Sequence, residues 1–264
     1  MAESAMTEEE IKDRNNVWRA MSELRPKFKR SYDAVGNFHV VREIVLGGNP
    51  AWAIANTKFY PGPGTRVMDI GANLGVYTFW CAAEGASVVA YEPHKKCFET
   101  MLYVIQEHPE LQERVTLHSK AVSHKNGNAP YLAHQTQASW AMLYNGGTPT
   151  DGVNWTPDDM AHATWVETVS LDKAVGDEEW DMVKIDTEGA EMEIIEGASP
   201  ETFAKIKLLF IELHPWASKD VYQVVIDKLK RYTSFEAFHR DSDPRLADRW
   251  VACYCSRDLR KVRL

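Results

Sequence analysis

Residues 66–75, Arg-Val-Met-Asp-Ile-Gly-Ala-Asn-Leu-Gly, constrain this chain more than any other stretch. An apolar run passes through Asp69 into Gly71-Ala72-Asn73-Leu74-Gly75, and helical spacing follows over about 74–84. A strand, a glycine turn and a helix in that order build a cradle at the carboxyl end of a buried strand. Gly71 permits a tight turn, and Gly75 lets the helix pack close to the strand while a ligand approaches the backbone. Asn73 falls where left-handed backbone geometry is expected, which asparagine tolerates better than most residues.

The next strand candidate, Ser87–Tyr91 (SVVAY), ends at Glu92. An acidic group at the end of the second strand is well placed to accept both ribose hydroxyls of an adenosine ligand. The turn reads GxxxG and lacks the middle glycine of the GxGxxG pyrophosphate fingerprint. This spacing suits S-adenosylmethionine better than a dinucleotide, although it does not exclude the second.

Downstream, strand and helix signals alternate, which implies an α/β fold with a mainly parallel sheet covered on both faces. Helices are expected over 94–107, 171–175, 189–197 and 218–231, and strands at 115–118, 166–170, 181–185, 208–213, 234–238 and 250–255. Residues 1–60 read as a leading helical cap, closed by the PGPG break at 61–64, with the main domain over 61–264. Residues 119–165 carry few regular signals. Within them, 130–165 is long for a structureless connection and reads as a lid or substrate loop, with Tyr131, Trp140, Tyr144, Trp155 and Trp165 suited to stacking on a sugar or base.

Two strand candidates finish on polar groups: Lys184-Ile185-Asp186-Thr187-Glu188, and Glu212-Leu213-His214. Alternation puts Lys184, Asp186 and, if the strand extends so far, Glu188 on one side, and likewise Glu212 with His214. Such a cluster suits methyl transfer to a hydroxyl, where the acceptor must be aligned and its proton removed. His214 is the candidate base near neutral pH, Asp186 the alternative, and Glu212, Glu188 and Lys184 complete the catalytic set. Alternatively, Asp186, Glu188, Glu212 and His214 could hold a divalent cation that lowers the hydroxyl's pKa. Glu191 and Glu193 read as first-turn charges favoured by the helix dipole.

DIGANLGVYTFWCAAEGASVVAYEP (69–93), VSLDKAV (169–175) and VKIDTEGAEMEIIEGA (183–198) together resemble the FkbM family of S-adenosylmethionine-dependent methyltransferases. The resemblance spans roughly residues 64–216. It implies a Rossmann-like class I fold with seven strands in the order 3-2-1-4-5-7-6, strand seven antiparallel. It also implies a cofactor site at Asp69, Gly71, Asn73, Gly75 and Glu92, with Ser119 and Ala121 in the segment that closes over adenine.

A net charge of −8 argues against a surface built for nonspecific nucleic-acid binding, despite basic stretches at 25–30 and 257–263. No apolar run reaches a membrane span and the amino terminus lacks a secretory pattern, so a cytoplasmic enzyme without a membrane partner is expected. Four scattered cysteines fit reduced thiols rather than a disulfide framework. The expected activity is O-methylation of a sugar, glycan or small polar metabolite. The alternatives are ribose 2′-O methylation of nucleic acid and a noncatalytic adenosylmethionine-binding protein.

Overall fold

The computed structural model describes residues 61–133, 141–143, 156–214, 221–232, 234–238 and 250–254. The cap expected at 1–60, much of the expected lid and both basic stretches lie outside these residues.

The chain enters the fold at β1 (Arg66–Ile70), whose last four residues are all buried. A strand covered on both faces needs no polar alternation, so it reads as a mostly apolar run. The same holds for β8 (Trp180–Ile185) and β9 (Ile206–Glu212). Successive residues feed opposite cores. Val67, Met182 and Phe210 pack with helices α1 (Val76–Ala83) and α2 (Lys95–Glu107). Met68, Val183 and Leu209 pack on the other face with α4 (Leu171–Val175), α5 (Glu191–Gly197), α6 (Pro200–Ala204) and α7 (Val221–Tyr232). Phe79 and Trp80 of α1 are fully buried, and each contributes about 1.5–3 kcal/mol by removal from water.

β2 (Ser87–Tyr91) and β3 (Val115–His118) extend the sheet on one side of β1. β10 (Ser234–Phe238) and β11 (Trp250–Tyr254) close the other. The order across the sheet is β3-β2-β1-β8-β9-β11-β10. Counted within this sheet alone, that is 3-2-1-4-5-7-6, and β11 runs antiparallel to both neighbours. The carboxyl ends of β1, β2, β8 and β9 therefore open along one edge.

A second sheet departs from the sequence expectation. Its order is β4-β7-β5-β6, built from β4 (Ala121–Ser123), β7 (Thr164–Ser170), β5 (Gly127–Ala133) and β6 (Ala141–Leu143). Part of the 119–165 region is thus regular, including α3 (Pro157–Ala161). β5 reads Gly-Asn-Ala-Pro-Tyr-Leu-Ala, a composition that local propensity assigns to loops. Pro130 fits because it precedes the stretch 131–133 that pairs with β6.

Candidate active site

The turn after β1 is shaped by two close approaches. Gly71 has φ +75°, and a Cβ there would fall 1.8 Å from the Asp186 carbonyl oxygen. Only glycine lets the ends of β1 and β8 close so tightly. The Gly71 and Ala72 N–H groups both donate to the Tyr91 carbonyl, tying the turn to β2. Gly75 has φ +77° and heads α1, where a Cβ would meet Phe79 and Met101. Asn73 adopts the left-handed conformation at φ 53°.

That conformation aims the Asn73 N–H at Glu92, whose Oε2 accepts it at 2.6 Å. Oε1 accepts the His94 N–H at 2.7 Å. Each carboxylate oxygen carries two lone pairs, so one remains on each for a ligand hydroxyl. Glu92 is 5% exposed. Burial pushes its carboxyl up to about 7, against the pull of the His94 and Asn73 donors and of Lys184.

Asp69 faces inward. Fully buried, it accepts a hydrogen bond from Thr78 Oγ1 at 2.6 Å and lies 3.3 Å from Lys184 Nζ. The same ammonium lies 3.3 Å from Asp186 Oδ2. Burial opposes the charge on Lys184, yet Asp69 and Asp186 hold its proton above the usual lysine range. Lys184 is therefore a charged strut under the turn, and Asp69 supports the cradle from below.

An open cleft of about 590 Å³ lies along this edge of the sheet. Gly71, Asn73, Glu92 and Ala121 contribute to its wall, while Ser119 is exposed outside it. Asp186 and Glu188 line it from the β8 side, and Tyr131 and Leu143 line it from the second sheet.

β8 ends at Ile185, so strand alternation does not carry as far as Glu188. Glu188 instead reaches the cleft through a left-handed turn, at φ 54°, followed by Gly189 at φ 116°. Holding a non-glycine residue there costs on the order of 1–3 kcal/mol unless the surroundings impose it. What imposes it is Glu191. Its fully buried carboxylate accepts from Thr187 N and Thr187 Oγ1, both at 2.9 Å, and from Gly189 N at 3.1 Å.

Glu191 is thus more than a dipole charge. It shares the buried stripe of α5 with Ile194 and Ile195, whereas Glu193 and Glu196 do not. A carboxylate on an apolar helical face is the sequence signal that would have identified it.

His214 is fully buried among three carboxylates. Nδ1 lies 3.0 Å from Glu191 Oε1, and Nε2 lies 3.3 Å from Glu188 Oε2 and 3.9 Å from Glu212 Oε1. Burial alone would favour neutral imidazole, but Glu191, Glu188 and Glu212 push its pKa up to about 10. Burial likewise works against the charge on Glu191, and His214 with the Gly189 and Thr187 donors brings that carboxyl below its ordinary value. The three carboxylates thus favour the protonated imidazole in this arrangement, the form that has no lone pair with which to accept a proton. On the β8 side, Asp186 and Glu188 are the carboxylates that face the cleft. Asp186, Glu188 and His214 also bring metal-ligating atoms together, a set that does not include Glu212.

A family model described as the methyltransferase FkbM domain matches residues 69–239. Among solved structures, the chain is similar to methyltransferase FkbM from Methylobacillus flagellatus KT, at 13% identity and a TM-score of 0.49, covering 88% of this chain and 60% of that one. It is also similar to magnesium protoporphyrin IX methyltransferase from Synechocystis PCC 6803, solved with bound S-adenosylmethionine. There the identity is 13% and the TM-score 0.45, covering 97% of this chain and 100% of that one. An rRNA methylase from Streptococcus thermophilus follows at 12% identity and a TM-score of 0.44, covering 74% and 89%. The chain spans 60% of the length of the Methylobacillus protein. No curated protein sequence matches it.

Proposed function

The chain belongs to the FkbM family of S-adenosylmethionine-dependent methyltransferases, and from that premise we propose that it methylates a hydroxyl of a sugar, glycan or small polar metabolite. The observation that carries the reading is one continuous cleft lined by the Glu92 carboxylate and by the Asp186 and Glu188 carboxylates. The first suits a donor's ribose, the second an acceptor's proton.

The residues present fit the donor. Gly71 lets the turn close against Asp186 at the cleft wall, and Glu92 keeps an acceptor lone pair on each oxygen. Adenosylmethionine, when bound, supplies a methyl group already activated on a sulfonium. Glu92 would accept the two ribose hydroxyls, while Asn73 and Ala121 would border the nucleoside. Asp186 or Glu188 would accept the acceptor's proton as the new oxygen–carbon bond forms and the sulfur–methyl bond breaks. Tyr131 and Leu143 would narrow the cleft around the acceptor. Glu212 acts at one remove, through His214.

The test is transfer of a labelled methyl group to sugar nucleotides, oligosaccharides and RNA, each over a range of salt. Activity on sugars that changes little with salt is expected; activity confined to RNA and lost steeply with salt would favour the ribose-methylating alternative. Asp186→Asn is expected to lower kcat by roughly 100-fold or more, the scale of a lost general base. Unchanged transfer in both Asp186→Asn and Glu188→Gln would refute the assignment of the base.

A further inference from the structure

We propose that Asp186, Glu188 and His214 form a divalent-cation site beside the acceptor, with Glu191 as the carboxylate that orients His214 from behind. This deepens the hydroxyl-methylation reading and rests on it.

The first argument is convergence. One oxygen from each carboxylate and one His214 ring nitrogen all lie within 4.8 Å of one another. Ligands around a Mg²⁺-sized ion sit at about 2.1 Å from it, and hence about 3.0–4.2 Å from one another. Sub-ångström movements would bring these three onto one ion.

The second argument is how the imidazole is held. A metal-ligating histidine almost always donates its other ring N–H to a carboxylate, which fixes both tautomer and ring plane. His214 has that partner in Glu191, 3.0 Å from Nδ1. Glu191 is itself held by Thr187 and Gly189, so the ring is oriented before any ligand arrives. Nε2 is then the nitrogen directed at Glu188 and Glu212. A proton on Nε2 makes one such contact well, whereas a divalent ion draws several donors at once.

The third argument is access. Asp186 and Glu188 line the open cleft, so an ion held there keeps coordination positions for water or an acceptor oxygen. The donors are two hard carboxylates and one imidazole, a set suited to Mn²⁺ or Mg²⁺ more than to thiolate-seeking metals. Such an ion would lower the pKa of a bound hydroxyl. The second oxygen of either carboxylate would still be able to accept its proton.

Mn²⁺ titrated into the full chain by calorimetry, with S-adenosylhomocysteine affinity measured on the same samples, tests the site. One Mn²⁺ per chain is expected. Asp186→Asn and Glu188→Gln, at partly exposed positions, should each weaken it at least about tenfold. Glu191→Gln should weaken it roughly tenfold through the ring it orients. Glu193→Gln, which alters an exposed contact with His124, should leave Mn²⁺ binding as it was. Absent one-to-one binding, or full binding in either cleft variant, would overturn the site. If S-adenosylhomocysteine still binds in that case, the methyltransferase reading stands and only the ion is lost.

Discussion

Glu92 is the residue at which burial and the proposed function pull in opposite directions. Its carboxyl is raised from 4.5 to about 7, chiefly by desolvation. Between those two values the folded protein holds a proton that the unfolded chain has released. Its contribution to stability therefore falls as pH rises through that window and levels off above about 7. Ribose hydroxyls donating to the ionised form, as proposed, would lower this pKa on binding and release a proton. S-adenosylhomocysteine affinity should accordingly rise towards pH 7, by at most about tenfold per unit, and flatten above it. Calorimetry in buffers of different ionisation enthalpy reads the released proton directly. Glu92→Gln should bind more weakly and with a flat profile; a flat wild-type profile would remove Glu92 from the ribose. The place of Glu92 on the cleft wall was legible because strand-end position and residue type agree. Glu191 was passed over because a glutamate in a helix's first turn has an ordinary explanation, which hid its place on the same face as Ile194 and Ile195.

At the scale of elements, the site depends on how the ends of β1 and β8 are joined. The two strands are paired in parallel, with Asp69 opposite Lys184. Their side chains add an ion pair that is 5% exposed on the lysine and fully buried on the aspartate. Removing the ammonium leaves Asp69 as a buried carboxylate with one charge partner fewer, a loss of about 3–5 kcal/mol for pairs of this kind. Lys184→Met should therefore lower stability to urea by about that amount, and adding Asp69→Asn should recover part of it. Additive losses in the double variant would mean that the two side chains are not coupled. β1, β2, β8 and β9 were legible as strands because burial on both faces leaves mostly apolar runs, in which charged residues such as Asp69 and Lys184 are few. Beyond β7, expected at 166–170, the second sheet was not, because β4 and β6 are three residues each and β5 contains Gly127 and Pro130. Their pairing comes from tertiary neighbours rather than from local pattern, and no periodicity survives in so short a strand.

At the scale of the molecule, strand order could not be deduced from any single segment, since each strand's pattern is compatible with several neighbours. The family resemblance supplied it, and the sheet realises it with the switch between β1 and β8 at its centre. This arrangement makes ligand binding a property of the whole domain. The cleft draws residues from the ends of β1, β2 and β8 and from β4, β5 and β6, segments far apart in sequence that unfolding would separate. A ligand bound across them should therefore stabilise the cooperative unit rather than one loop. At 100 times its dissociation constant, S-adenosylhomocysteine should add about 2.7 kcal/mol to unfolding, read as a raised Tm. NAD should add little, because the turn lacks the middle glycine through which a pyrophosphate approaches the backbone. Gly71→Ala separates the cradle from the scaffold. Its Cβ would collide with the Asp186 carbonyl, so the variant should lose the ligand-induced shift as well as basal stability, the latter by about 2 kcal/mol or more. A Gly71→Ala protein that melts lower but still responds fully to S-adenosylhomocysteine would move the donor site away from this turn. A larger shift with NAD than with S-adenosylhomocysteine would point to dinucleotide chemistry instead.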